Sequence, residues 1–84
     1  MAERSVVVRY FAAAADAAGR TEELVPLAVG ATLGDLRAVL VDRHGPGMER
    51  VLGVAAFLQY DELTRDLATA ASARVDVLPP FAGG

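Results

Sequence analysis

Two valine-rich segments stand near opposite ends of this 84-residue chain, with one helical stripe between them. Ser5-Val6-Val7-Val8-Arg9-Tyr10-Phe11 is dense in β-branched and aromatic residues and reads as a strand. Its alternation puts Val6, Val8 and Tyr10 on one face and Ser5, Val7 and Arg9 on the other. Arg74-Val75-Asp76-Val77-Leu78 alternates in the same way and reads as the last strand. Between them, Thr32-Leu33-Gly34-Asp35 matches a capping box with Asp in the acidic position. Leu33, Leu36 and Leu40 lie at i, i+3 and i+7, so a helix with one apolar stripe is expected to about His44.

The remaining segments fill in a small mixed fold. Residues 12–18 are alanine-rich and closed by Gly19, which predicts a short helix held by packing. Residues 21–28 read as a second strand, and Pro26 places it at an edge. Gly45-Pro46-Gly47 is expected to stop the main helix. The near-continuous apolar run of residues 51–58 predicts a third, buried strand. Gln59-Tyr60-Asp61-Glu62 reads as a turn or strand edge, and residues 63–72 show no clear pattern. One helical stripe over a small sheet is a two-layer α+β architecture. If the first and last strands pair in parallel at the middle of the sheet, it is a β-grasp. Residues 1–78 then form one domain, and residues 79–84 an extended C-terminal tail.

Composition narrows the function. A chain of this length holds one core, and 54% hydrophobic residues are enough to fill it. With five aromatics, that core is mostly Val, Leu and Ala. A net charge of −3 argues against nucleic acid and against anionic membrane surfaces. No segment reaches the length of a membrane span or a signal peptide, so the cytoplasm is the expected location. The absence of cysteine excludes a thiol nucleophile and thiolate metal sites on this chain. His44 is the one histidine and falls in the last helical turn, where the helix dipole favours positive charge. Asp61 and Glu62 are adjacent, so they cannot act as a paired acid and base, and a solvated turn is expected; Glu22 and Glu23 read the same way. Gly45-Pro46-Gly47 lacks the helix start that a phosphate loop needs. All eight basic residues are arginine, and scattered arginine is usually solvated surface.

There remains the ending, Pro79-Pro80-Phe81-Ala82-Gly83-Gly84. The prolines cannot continue a ladder, so they stop the last strand and project the residues beyond them. Four more residues reach roughly 13 Å at ~3.3 Å each. Two glycines let a partner's channel close on bare backbone around a terminal carboxylate. A chain with no visible catalytic machinery and such an end reads as a carrier.

Val6-x-Val8-Arg9-Tyr10-Phe11-Ala12, Gly30-Ala31-Thr32-Leu33-x-Asp35-Leu36 and Val75-x-Val77-Leu78-Pro79-Pro80-Phe81-Ala82-Gly83-Gly84 together resemble the ubiquitin-like sulfur carriers, in the branch of the small subunit of molybdopterin synthase. The chain departs from the family's common pattern at residues 12–15, 57–59 and 70–73. The resemblance implies that a ubiquitin-activating-like enzyme uses ATP and Mg²⁺ to adenylate Gly84. A sulfur donor then leaves a thiocarboxylate there. The tail would next enter the large, catalytic synthase subunit and give its sulfur to a pterin precursor for the molybdenum cofactor. Gly84 is the carrier residue, and Pro80, Phe81, Ala82 and Gly83 are the expected partner contacts, with Phe81 as anchor. This chain itself would bind no cofactor or metal. The alternatives are a carrier for thiamine, cysteine or tRNA thiolation, a protein modifier, or a β-grasp interaction domain with an inert tail.

Overall fold

Alternating burial along the first strand fixes the fold's two sides. In the computed structural model, which describes residues 2–80, β1 (Glu3–Tyr10) buries Val6, Val8 and Tyr10 and leaves Val7 and Arg9 partly exposed. The later elements are α1 (Ala13–Ala18), β2 (Glu22–Ala28), α2 (Leu33–His44), α3 (Pro46–Leu52), β3 (Ala56–Gln59), β4 (Glu62–Thr64) and β5 (Arg74–Leu78). The sheet order is β2-β1-β5-β3-β4. β1 and β5 pair in parallel from Val7↔Arg74 to Tyr10↔Val77, while β2, β3 and β4 all join antiparallel. A parallel pair needs a long crossover. Here the helices supply it, and they cover one face of the sheet. This is the expected β-grasp.

Leu33, Leu36 and Leu40 of α2, Met48 and Leu52 of α3, and Val6, Val8, Val25, Phe57, Val75 and Val77 of the sheet form the centre of one apolar cluster. Thr32 Oγ1 accepts from the Asp35 N–H at 3.2 Å, and an Asp35 carboxylate oxygen accepts from the Thr32 N–H at 2.9 Å. The expected capping box is therefore made. Pro26 sits opposite Ser5 on edge strand β2, where a missing N–H is tolerated.

Three expectations need correction. Gly45-Pro46-Gly47 ends α2 but also starts a second helix. Gly45, at φ 82°, turns the chain, and Pro46 occupies the first helical turn with its φ already fixed. Residues 51 and 52 therefore belong to α3, and the third strand is only Ala56–Gln59. Met48, Val51 and Leu52 at i, i+3 and i+4 were the signal, hidden by continuity with the apolar run behind them. The first helix begins at Ala13, because Ala12 takes φ 52° and ψ −126°, a conformation that side chains disfavour.

The unpatterned stretch after β4 is ordered by distant partners. The Leu33 and Gly34 N–H groups donate to the Thr69 and Leu67 carbonyls, and the Ala71 N–H donates to the Ala31 carbonyl. The buried Gln59 side chain donates to the Ala70 carbonyl at 3.1 Å and accepts from the Ser72 N–H at 2.6 Å. Gly34 permits this approach, since a Cβ there would stand 3.2 Å from the Leu67 carbonyl oxygen.

Candidate functional site: the launch point of the C-terminal segment

β5 is the middle strand of five, so its end is held from both sides. Val77 pairs with Tyr10 of β1 and Phe57 of β3, and Leu78 pairs with Ala56. Pro79 is half-buried and Pro80 is exposed. Of the five sequence-predicted site residues, Pro80 is therefore placed, at the surface and two residues past the strand. Phe81, Ala82, Gly83 and Gly84 lie outside the described residues.

The walls beside this exit come from the end of β1. Phe11 comes directly after Tyr10, and the Arg9 guanidinium stacks on its ring at 5.2 Å from the centroid. Arg9, Phe11, Ala12 and Ala15 help to line a shallow cavity of about 310 Å³.

Behind Tyr10 sits a buried polar cluster that the sequence reading assigned to solvent. Glu22 is exposed as expected, but Glu23 points into the helix-covered face, and its side chain is only 5% exposed. Its carboxylate accepts from the Tyr10 hydroxyl, stands 2.5 Å from His44 Nε2, and accepts from Arg43 Nη1 at 3.1 Å. Arg20 Nη1 is 3.6 Å away. His44 also meets the Tyr10 ring edge-on. So His44 holds a carboxylate as well as ending a helix, and Arg43 is not simply solvated. Burial works to raise the Glu23 pKa. Hydrogen bonds from Tyr10 and His44, the His44 charge and the Arg43 hydrogen bond outweigh it and hold the carboxyl below its ordinary value. Burial first, and then the bond to Glu23 and its charge, push the Tyr10 hydroxyl well up.

A carboxyl whose pKa is lower when folded stabilises the fold above the ordinary glutamate pKa. That contribution is lost as pH falls through the folded value. The urea midpoint is therefore expected to fall between neutral pH and the acid side of the carboxylate range. Glu23→Gln should remove part of that fall and cost about 1–3 kcal/mol at pH 7 by leaving buried partners mismatched. Urea titrations of both proteins at several pH values check this.

The described residues hold no group of three or more histidine and carboxylate side chains placed to bind a metal ion, and no helix long and apolar enough to cross a membrane. The sequence model of the ThiS family matches residues 8–84. The chain belongs to the ThiS family. Its members are ubiquitin-like sulfur carriers, so the expected resemblance holds. No curated protein sequence matches the chain. Among solved structures, it is similar to SAMP1, the small archaeal modifier protein 1 of Haloferax volcanii. There the identity is 31%, with 96% of this chain and 100% of that chain covered and a TM-score of 0.80. It is also similar to a chain in the complex of subunits 1 and 2 of molybdopterin-converting factor from Helicobacter pylori, at 28% identity. That match covers 96% of this chain and 100% of the other, with a TM-score of 0.67.

The sequence reading missed the charged row beside the exit. Arg9 and Asp76 are paired across β1 and β5, on the face the helices leave open. Alternation in Arg74-Val75-Asp76 was enough to place Arg74 and Asp76 on one face, and parallel pairing adds Arg9.

Proposed function

We propose that this ThiS-family chain carries sulfur as a thiocarboxylate on Gly84 and delivers it to a pterin precursor, as the small subunit of a molybdopterin synthase. The observation that carries this reading is the Pro79-Pro80 break at the end of the central strand, exposed at Pro80, with Phe81-Ala82-Gly83-Gly84 next in sequence. The similarity to a chain of the Helicobacter pylori subunit 1 and 2 complex supports a large catalytic subunit as partner.

A carboxylate is a poor electrophile until one oxygen becomes part of a good leaving group. The Gly84 carboxylate attacks the α-phosphorus of ATP on an adenylating enzyme, and pyrophosphate leaves. Sulfur at the sulfide level then displaces AMP. The resulting thiocarboxylate is an anionic nucleophile, which the large subunit holds in a closed, oriented site. The sulfur attacks a carbon of the pterin precursor and displaces an oxygen substituent, giving a thioester to Gly84; water then cleaves the acyl–sulfur bond and restores the carboxylate, and two such transfers complete a dithiolene. ATP, Mg²⁺ and the catalytic groups belong to the partners. Gly83 keeps the passage narrow, and Pro80, Phe81 and Ala82 contact its walls.

The test combines the thiocarboxylated chain, the large subunit from the same organism and the pterin precursor. Sulfur is expected to leave Gly84 and appear in the pterin. Retention with the pterin, but transfer to a thiazole precursor, to a cysteine precursor or to tRNA, would move the chain to a sister pathway. The 31% identity to a modifier protein favours one second reading, attachment of Gly84 to lysines of other proteins, which higher-mass adducts would reveal.

A further inference from the structure

The eight basic residues of this chain are all arginine, and the sequence has no lysine. Ion pairing alone does not require that choice. Arg20 stands 3.6 Å from Glu23 with its side chain 57% exposed, and Arg50 and Arg65 are exposed; an ammonium would serve in each place. The two groups differ in chemistry. A guanidinium keeps its proton and is no acyl acceptor, whereas a lysine amine, once deprotonated, is a nucleophile. That difference matters beside an activated carboxyl. Six residues follow Leu78, enough to reach roughly 20 Å at ~3.3 Å each. Tyr10 pairs with Val77, and its N–H donates to the Thr21 carbonyl. Arg9 and Arg20, next to Tyr10 and Thr21 in sequence, therefore stand about one and two strand spacings from β5, roughly 5 and 10 Å. Both fall inside that radius. The remaining amine of the sequence precedes Ala2, and Ala2 is held at the other end of the sheet. β1 runs parallel to β5, so its start lies farthest from the exit, and there the Val29 N–H donates to the Ala2 carbonyl at 3.1 Å. The steps from Ala2 to Tyr10 span roughly 26 Å at ~3.3 Å each, beyond the reach of the last six residues.

We propose that this chain is built not to capture its own activated end: the cations within reach of Gly84 are guanidiniums and the α-amine is held out of reach, so an activated Gly84 passes only to a nucleophile that another molecule supplies. This rests on the carrier reading. On the acyl-adenylate, an amine nitrogen would attack the Gly84 carbonyl carbon, AMP would leave and the amine's proton would pass to solvent. The product is an amide where sulfide would have left a thiocarboxylate. A lysine within reach would meet that carbon at an effective concentration of about millimolar, in competition with sulfide. The amide does not revert, so each such event removes one carrier from use. The same composition bears on attachment to other proteins. A copy joined to a target lysine offers no lysine to the next copy, so targets would carry single copies and not chains.

The test incubates the full chain with the adenylating enzyme of the same organism, ATP and Mg²⁺, without sulfide, and follows pyrophosphate and intact mass together. The wild type is expected to release pyrophosphate and to form neither a species lighter by one water, which is an internal amide, nor a dimer of twice the mass less one water. Arg20→Lys and Arg9→Lys keep the charge and are expected to form one or the other, with fragmentation placing the new amide on the introduced lysine. With sulfide added, both variants should yield less thiocarboxylate than the wild type. Circular dichroism confirms that they fold. If the wild type forms either adduct on a lysine-free chain, or if neither lysine variant forms one while the wild type releases pyrophosphate, the proposal alone is overturned. No pyrophosphate from the wild type sinks the carrier reading, and the proposal with it.

Discussion

Adding a single alanine after Gly84 is expected to abolish sulfur loading completely while leaving the melting temperature unchanged. The added peptide bond consumes the Gly84 carboxylate and moves the free carboxylate to a residue whose Cβ the narrow passage does not admit, so no acyl-adenylate forms at Gly84. Stability should not respond, because among the described residues the buried cluster runs from Val6 to Val77, short of the first proline of the exit. Deleting Gly83 and Gly84 should give the same separation. Loading is read by intact mass and folding by thermal melting of the same samples. A variant that loads sulfur without first losing its added residue would contradict the assignment of Gly84.

Phe57→Ala is expected to produce the largest loss of stability. Phe57 is 1% exposed, and it pairs with Val77 at the centre of the sheet. Truncating a buried phenylalanine typically costs about 3–5 kcal/mol, part transfer and part cavity. An 84-residue domain holds roughly 4–13 kcal/mol in total at about 0.05–0.15 kcal/mol per residue. The change therefore removes a large share and unfolds a protein near the low end. The control is Leu63→Ala on the open face, where 60% exposure predicts an effect within about 0.5 kcal/mol. Urea unfolding of both variants decides it. Similar losses at the two positions would mean that the helix-covered side is not the core.

The elements legible in the sequence were those specified by their own neighbours. β5 was read with its observed bounds, because strict alternation is cut off by Pro79. The start of α2 was legible in Thr32 and Asp35, which cap each other three residues apart. Elements set by distant contacts were not legible. α3 merged with the apolar run of β3, since only packing tells Met48, Val51 and Leu52 from strand residues. Residues 65–73 are placed by the N-terminus of α2 and by Gln59, partners far along the chain. Glu23 was misread because adjacent acids on a strand face opposite ways. Which one turns inward is set by Tyr10, Arg43 and His44, and none of these is a near neighbour of Glu23 on its own strand. The candidate site divides in the same way. The proposed carrier end is legible in Gly83 and Gly84, while the charged row beside the exit required the β1–β5 pairing that brings Arg9 beside Asp76.

The most direct test of sulfur carriage is one intact-mass measurement. The chain is incubated with its adenylating enzyme, ATP, Mg²⁺ and a sulfide source, then weighed and fragmented. The expected result is replacement of one oxygen by one sulfur, located on Gly84. An unchanged mass from an enzyme that is releasing pyrophosphate with this chain, or sulfur found on any other residue, would contradict the account.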